Sequence, residues 1–131
     1  MDIEIFCLCD YAQEMGSGKI VIIGTFDTIF AQKMPSKHPT CSIVTRIRFT
    51  STEVGRHNFQ VAILDSEGSD IVPSFHAEFD VQIASGIESS LANFVMGIGG
   101  LEFKKYGTYS ITLMLDGTRA KSLPLYVRPT K

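Results

Sequence analysis

Cys7, Cys9, His38 and Cys41 are the residues of this chain whose types suit metal ligation. A zinc site needs three or four such groups converging at about 2.0 to 2.3 Å, and C-x-C with a distant H-x-x-C is a loose version of that pattern. Cys7 and Cys9 share a row with Ile3 and Ile5 on a strand whose other face also turns apolar at Phe6 and Leu8, and free cysteine packs as a small hydrophobe, so core packing is the stronger reading. A thiol nucleophile also needs an adjacent base. His38, His57 and His76 all sit in polar stretches that read as surface. Asp10 and Asp27 each follow an apolar run. Facing each other across neighbouring strands, one would have its pKa raised as a general acid requires. The plainer expectation is that Asp10 caps a turn and Asp27 pairs with Arg46 or Arg48, a contribution of about 0.2 to 1 kcal/mol.

Arg46, Arg48 and Arg56 form the one local basic row, suited to a small anion or simply to a solvated strand face. Met96-Gly97-Ile98-Gly99-Gly100 is glycine-rich, but a phosphate cradle works by opening a helix, and no helical pattern follows it. Sugar-binding sandwiches stack rings on exposed aromatics. Phe6, Phe94 and Tyr126 are the aromatics on outward rows here, and there is no Trp.

The elements that must position these residues are strands. From Ile71 to Ile83 apolar residues occupy every second position, as a strand with one dry face requires. Ile3 to Cys9 reads as a central strand. The glycine-bearing turn Gln13 to Gly18 leads into Lys19 to Ile23, and together they predict a hairpin. Gly24 marks a bulge before Thr25 to Phe30. Alternation over Ile43 to Phe49 and Phe59 to Ile63 gives a meander into the long strand, Leu91 to Ile98 resumes it, and Asp116-Gly117 predicts a tight hairpin turn after Tyr109 to Leu115. Pro124, lacking an amide hydrogen, predicts that Leu123 to Val127 is an edge strand.

About eight strands without a convincing helix predict one all-β domain over residues 1–131: a two-sheet antiparallel β-sandwich, with a closed barrel as the alternative. Gly107-x-Tyr109 entering a late strand resembles the tyrosine corner of immunoglobulin-like domains or a related Greek key. A chain of 131 residues with 44% hydrophobic and 20% charged content buries enough core to fold alone. Its net charge of −2, with 12 Lys and Arg dispersed, argues against nucleic acid. No apolar run approaches the about 20 residues of a membrane helix, and the acidic first residues do not resemble a signal peptide. Cys7 and Cys9, on one strand with Cα atoms about 6.5 Å apart, suit free thiols in a reducing cytoplasm better than a disulfide.

Cys9-Asp10-Tyr11-Ala12, Gly18-Lys19, Ile22-Ile23-Gly24-Thr25-Phe26-Asp27-Thr28-Ile29, His38-Pro39, Arg46-Ile47-Arg48, Gly107-x-Tyr109 and Leu115-Asp116-Gly117 together resemble a family of small bacterial proteins defined by a domain of unknown function. The resemblance spans nearly the whole chain and implies a bacterial, cytoplasmic origin. It supplies no catalytic residue and no cofactor. Asp10, Tyr11, Asp27, His38, Arg46 and Arg48 are then the binding candidates, as a polar network fixing the first hairpin or as a binding rim. The expected function is a non-enzymatic binding module that self-associates or docks a protein through an edge strand. Anion or carbohydrate recognition and a Cys/Asp-dependent enzyme or metal protein are the alternatives.

Overall fold

In a computed structural model, which describes residues 1–130, the chain forms β1 (Asp2–Gly16), β2 (Lys19–Thr25), β3 (Thr28–Ala31), β4 (Ser36–Thr50), β5 (Gly55–Leu64), β6 (Phe75–Val81), β7 (Ser89–Phe103), β8 (Gly107–Leu115) and β9 (Thr118–Pro129). A single 3-10 turn, Ser51–Glu53, joins β4 to β5. The strands make two sheets, ordered β2-β1-β4-β7 and β3-β9-β8-β5-β6. Period-two rows meet between them: Ile43, Ile47 and Phe49 of β4 against Phe59, Val61 and Ile63 of β5 and Ile111, Leu113 and Leu115 of β8. Phe49, Phe59 and Phe103 are essentially inaccessible, and burying each such side chain is worth about 1.5 to 3 kcal/mol. The all-β two-sheet sandwich is therefore the fold. It has nine strands because the run from Lys19 to Phe30 divides in two.

That division moves the chain between layers. Phe26 donates its N–H to Leu8 O of β1 at 3.1 Å, and in the next residue Asp27 O accepts from Tyr126 N of β9 at 2.8 Å. The chain then runs on as β3, parallel to β9 from Thr28 beside Tyr126. Every other ladder is antiparallel. This arrangement corrects the expectation for Pro124: β9 lies between β3 and β8, yet β3 begins only at Tyr126, so the proline still sits where no neighbour needs its missing N–H.

Two further rows differ from their sequence patterns. A register shift in β1 between Ile3 and Ile5 reverses the phase of the strand. Phe6 and Leu8 consequently face the main core, and Ile5, Cys7 and Cys9 face the other way. The long alternating segment is a strand only from Phe75 to Val81. Ile71 N still reaches Ile63 O at 3.0 Å, but the chain leaves the ladder at Val72 to Ser74, where Pro73 has no hydrogen to donate.

β1 also changes partners along its length, pairing with β4 from Asp2 to Cys9 and with β2 from Cys9 to Gly16. The β1–β2 ribbon beyond Cys9 folds back over the outer face of its own sheet. Its tip carbonyl, Gly18 O, accepts from the Arg46 guanidinium of β4 and from Asn93 Nδ2 of β7 at 3.3 Å. Cys9, Ala12 and Val44 form a second small core beneath it, with Ile5, Cys7, Ile20, Ile22 and Val95 packed around them.

Candidate functional site

Of the sequence-predicted residues, Asp10 and Tyr11 lie on the ribbon and Arg46 bonds its tip. Arg46 is engaged by Gly18 O and by Asn93 Oδ1 at 3.0 Å; Arg48 is held by Glu4, at 3.3 Å through its second nitrogen, and by Ser89 Oγ at 2.7 Å. The guanidinium beside Glu4 holds that exposed carboxyl below its usual range. Arg56, the third of the row, bridges Glu78 at 3.2 Å and Asp80 at 3.0 Å. Each guanidinium of the basic row is already bonded within the chain.

Asp27 does not pair with either arginine as expected. Its carboxylate accepts from Thr28 Oγ1 at 2.8 Å, and Asp10 lies exposed against Gly24 across the ribbon, so the two acids share no hydrogen bond. Tyr11 is half exposed, its hydroxyl donating to Gln13 Oε1 at 2.8 Å. His38 is partly buried with its ring 5.5 Å from that of Phe26. These candidates are spread over the ribbon, the sheet-crossing segment and the start of β4 and do not converge.

The thiols are divided by the phase reversal in β1. Cys41 belongs to the main core, whereas Cys7 and Cys9 lie under the ribbon, and Cys9 Sγ donates to Tyr11 O and Ser42 O at 3.5 and 3.6 Å. Burial raises all three, and it pushes Cys41 up to about 11. Burial of this kind favours the protonated thiol over the reactive thiolate. Among the described residues no group of three His, Cys, Asp or Glu is placed to hold a metal ion. Of the outward aromatics, Phe6 is buried and Phe94 stacks on Phe59 at 4.1 Å; Tyr126 is partly buried, with Arg128 4.7 Å over its ring. None is a bare platform for a sugar ring.

What the sequence reading passed over is the free edge of β7. β7 pairs with β4 over its whole length and with nothing on its other side among the described residues. From Ser89 through Leu101 it carries no charged residue. Natural sheet edges are usually guarded by charge, shortness or a bulge. The other three edges follow that rule: β6 carries Glu78 and Asp80, β3 has four residues, and β2 has seven and opens with Lys19.

Beneath the unguarded edge lies a cleft of about 460 Å³, open between the sheets where the chain leaves the ladder at Val72. Ile43, Val61, Ile63, Val72, Met96 and Ile98 line it. The signal was present in the sequence as a charge-free stretch of thirteen residues, but only the sheet order makes that stretch an edge.

No helix among the described residues is long and apolar enough to cross a membrane. Comparison with curated proteins finds no match. A family model does match, over residues 4–128 and hence nearly the whole sandwich, and by that match the chain belongs to the Family of unknown function (DUF6941).

Proposed function

We propose that this protein is a non-enzymatic interaction module of the bacterial cytoplasm, with an immunoglobulin-like sandwich whose β7 edge takes up an extended segment of another protein as an added strand. The observation that carries the reading is the coincidence of an uncharged, unpaired edge with an apolar cleft directly under it. Main-chain groups of β7 supply the affinity for any extended backbone, and the cleft selects apolar side chains at alternate positions. A second copy pairing β7 to β7 is the less favourable occupant. It would continue the sheet but place its own Met96 and Ile98 over its own cleft, leaving both clefts unfilled. Free thiols support the reducing compartment. The Tyr109 hydroxyl, donating to Lys105 O at 2.7 Å, supports the immunoglobulin-like reading.

The test uses synthetic decapeptides with apolar residues at every second position, and the same compositions arranged in blocks. Binding is followed by fluorescence anisotropy and by amide shifts in NMR. The reading expects the alternating peptides alone to bind, with shifts on Leu91 to Leu101, and expects Gly97→Glu to abolish binding. A Cβ at Gly97 meets nothing within 4 Å, so this variant guards the edge without disturbing the fold. Shifts centred on another edge, or equal binding of both peptide sets, would overturn it.

A further inference from the structure

His57 of β5 stands at one end of the sandwich, its ring packed 5.0 Å from that of Phe49 and 5.9 Å from that of Phe79. The side chain is only 11% exposed, against the surface position expected from sequence. Its Nδ1 lies 2.7 Å from Asp116 Oδ2 in the β8–β9 turn, and its Nε2 lies 2.6 Å from the main-chain oxygen of Glu53 in the 3-10 turn. Both partners are acceptors. A neutral imidazole carries a single N–H and can satisfy one of them; the imidazolium satisfies both.

The charged groups around the ring fit a cation. Asp116 keeps its other oxygen on Asn58 N at 2.8 Å, so its carboxylate is fixed and faces the ring. The Glu53 carboxylate is taken by the Met1 ammonium and by Thr50 N at 2.9 Å. On β6, Glu78 and Asp80 flank Phe79 and are held by Arg56, next to His57 on β5; on β4, Arg48 flanks Phe49 and is held by Glu4. No unpaired cation therefore opposes a charge on His57 among these neighbours.

We propose that His57 is a proton-operated latch that ties the β4–β5 turn to the β8–β9 hairpin and releases one of them when it loses its proton. Because Glu53 also holds Met1, a released turn takes the start of β1 with it. The bond from His57 to Glu53 O, then that to Asp116, hold the imidazole above its ordinary value, in keeping with this geometry.

The test is NMR titration of protein carrying 15N-labelled histidine, assigned through His57→Gln. The latch requires both His57 nitrogens to be protonated at pH 6.5, with a midpoint above about 6.5. The amides of Val54, Asn58 and Gly117 should move with the same midpoint. Asp116→Asn preserves the acceptor for Asn58 N and removes the charge, and should lower the midpoint by about 1 pH unit. A single protonated nitrogen at pH 6.5, a midpoint below about 6.5, or a midpoint unmoved in Asp116→Asn would overturn the proposal.

Discussion

Gly24 approaches Asp10 so closely across the β1–β2 ribbon that a Cβ on Gly24 would stand 2.6 Å from Asp10 Oδ2 and 3.3 Å from its Cβ. Gly24 also has φ +71°, where side chains are strained whatever the space. Gly24→Ala is thus expected to destabilise by about 1 to 3 kcal/mol in urea unfolding. Adding Asp10→Ala should restore only part of the loss, because it removes the collision with the carboxylate and leaves the tight Cβ contact and the backbone strain. Full recovery in the double variant would show that neither the Cβ contact nor the backbone conformation costs anything.

Thr45 is completely buried, and its hydroxyl oxygen has no hydrogen-bond partner among the described residues. An orphaned buried hydroxyl costs about 1 to 3 kcal/mol. Thr45→Val keeps the branched shape and removes the orphan, so the variant should unfold at higher urea with an unchanged m-value.

Tyr109 is buried with its ring 4.9 Å from that of Phe103, and its hydroxyl closes the β7–β8 connection on Lys105 O. Tyr109→Phe retains the ring contact and loses the bond, at an expected cost of about 1 kcal/mol in chemical denaturation.

The thiols should react in an order set by cover. Burial raises Cys9 and Cys41 and leaves their sulfurs under the ribbon and in the core, whereas Cys7 is partly exposed. Iodoacetamide at pH 8 followed by peptide mass mapping should label Cys7 first and Cys41 only on unfolding. Rapid native labelling of Cys41 would contradict the packing described.

Stability should depend on pH through His57 and Asp116 together. A histidine held above its unfolded value contributes fully below about pH 6.5, and its contribution is lost as pH rises through the folded midpoint. For Asp116, burial opposes ionisation but the Asn58 N–H and His57 outweigh it, so its carboxyl is lowered; that contribution is present above about pH 3.9 and lost as pH falls through the folded value. The urea midpoint should therefore peak between about pH 4 and 6.5, and His57→Gln should flatten its alkaline side.

Much of the fold was legible because period-two rows over β4, β5 and β8 have only one way to be dry. The Asp116-Gly117 turn followed from chemistry: both residues have positive φ, at 51° and 78°, and connect Leu115 to Thr118 directly. The register shift in β1 was not legible, since a one-residue bulge leaves no mark on a strand whose two faces are both apolar. His57 read as surface because its partners, Glu53 and Asp116, come from different turns. The β7 edge was hidden for a related reason: whether a strand is central or marginal is decided by partners far along the chain.

The passage of Phe26 and Asp27 between layers gives the sandwich two unlike sides. On that side successive main-chain hydrogen bonds zip one sheet to the other, as in a partly rolled barrel. On the opposite side, β7 is held across the gap to β5 and β6 by rings, Phe94 against Phe59 and Phe79. Rings can slide where hydrogen bonds must break. The molecule is thus built like a book, with a bound spine and a fore-edge where the pages part first.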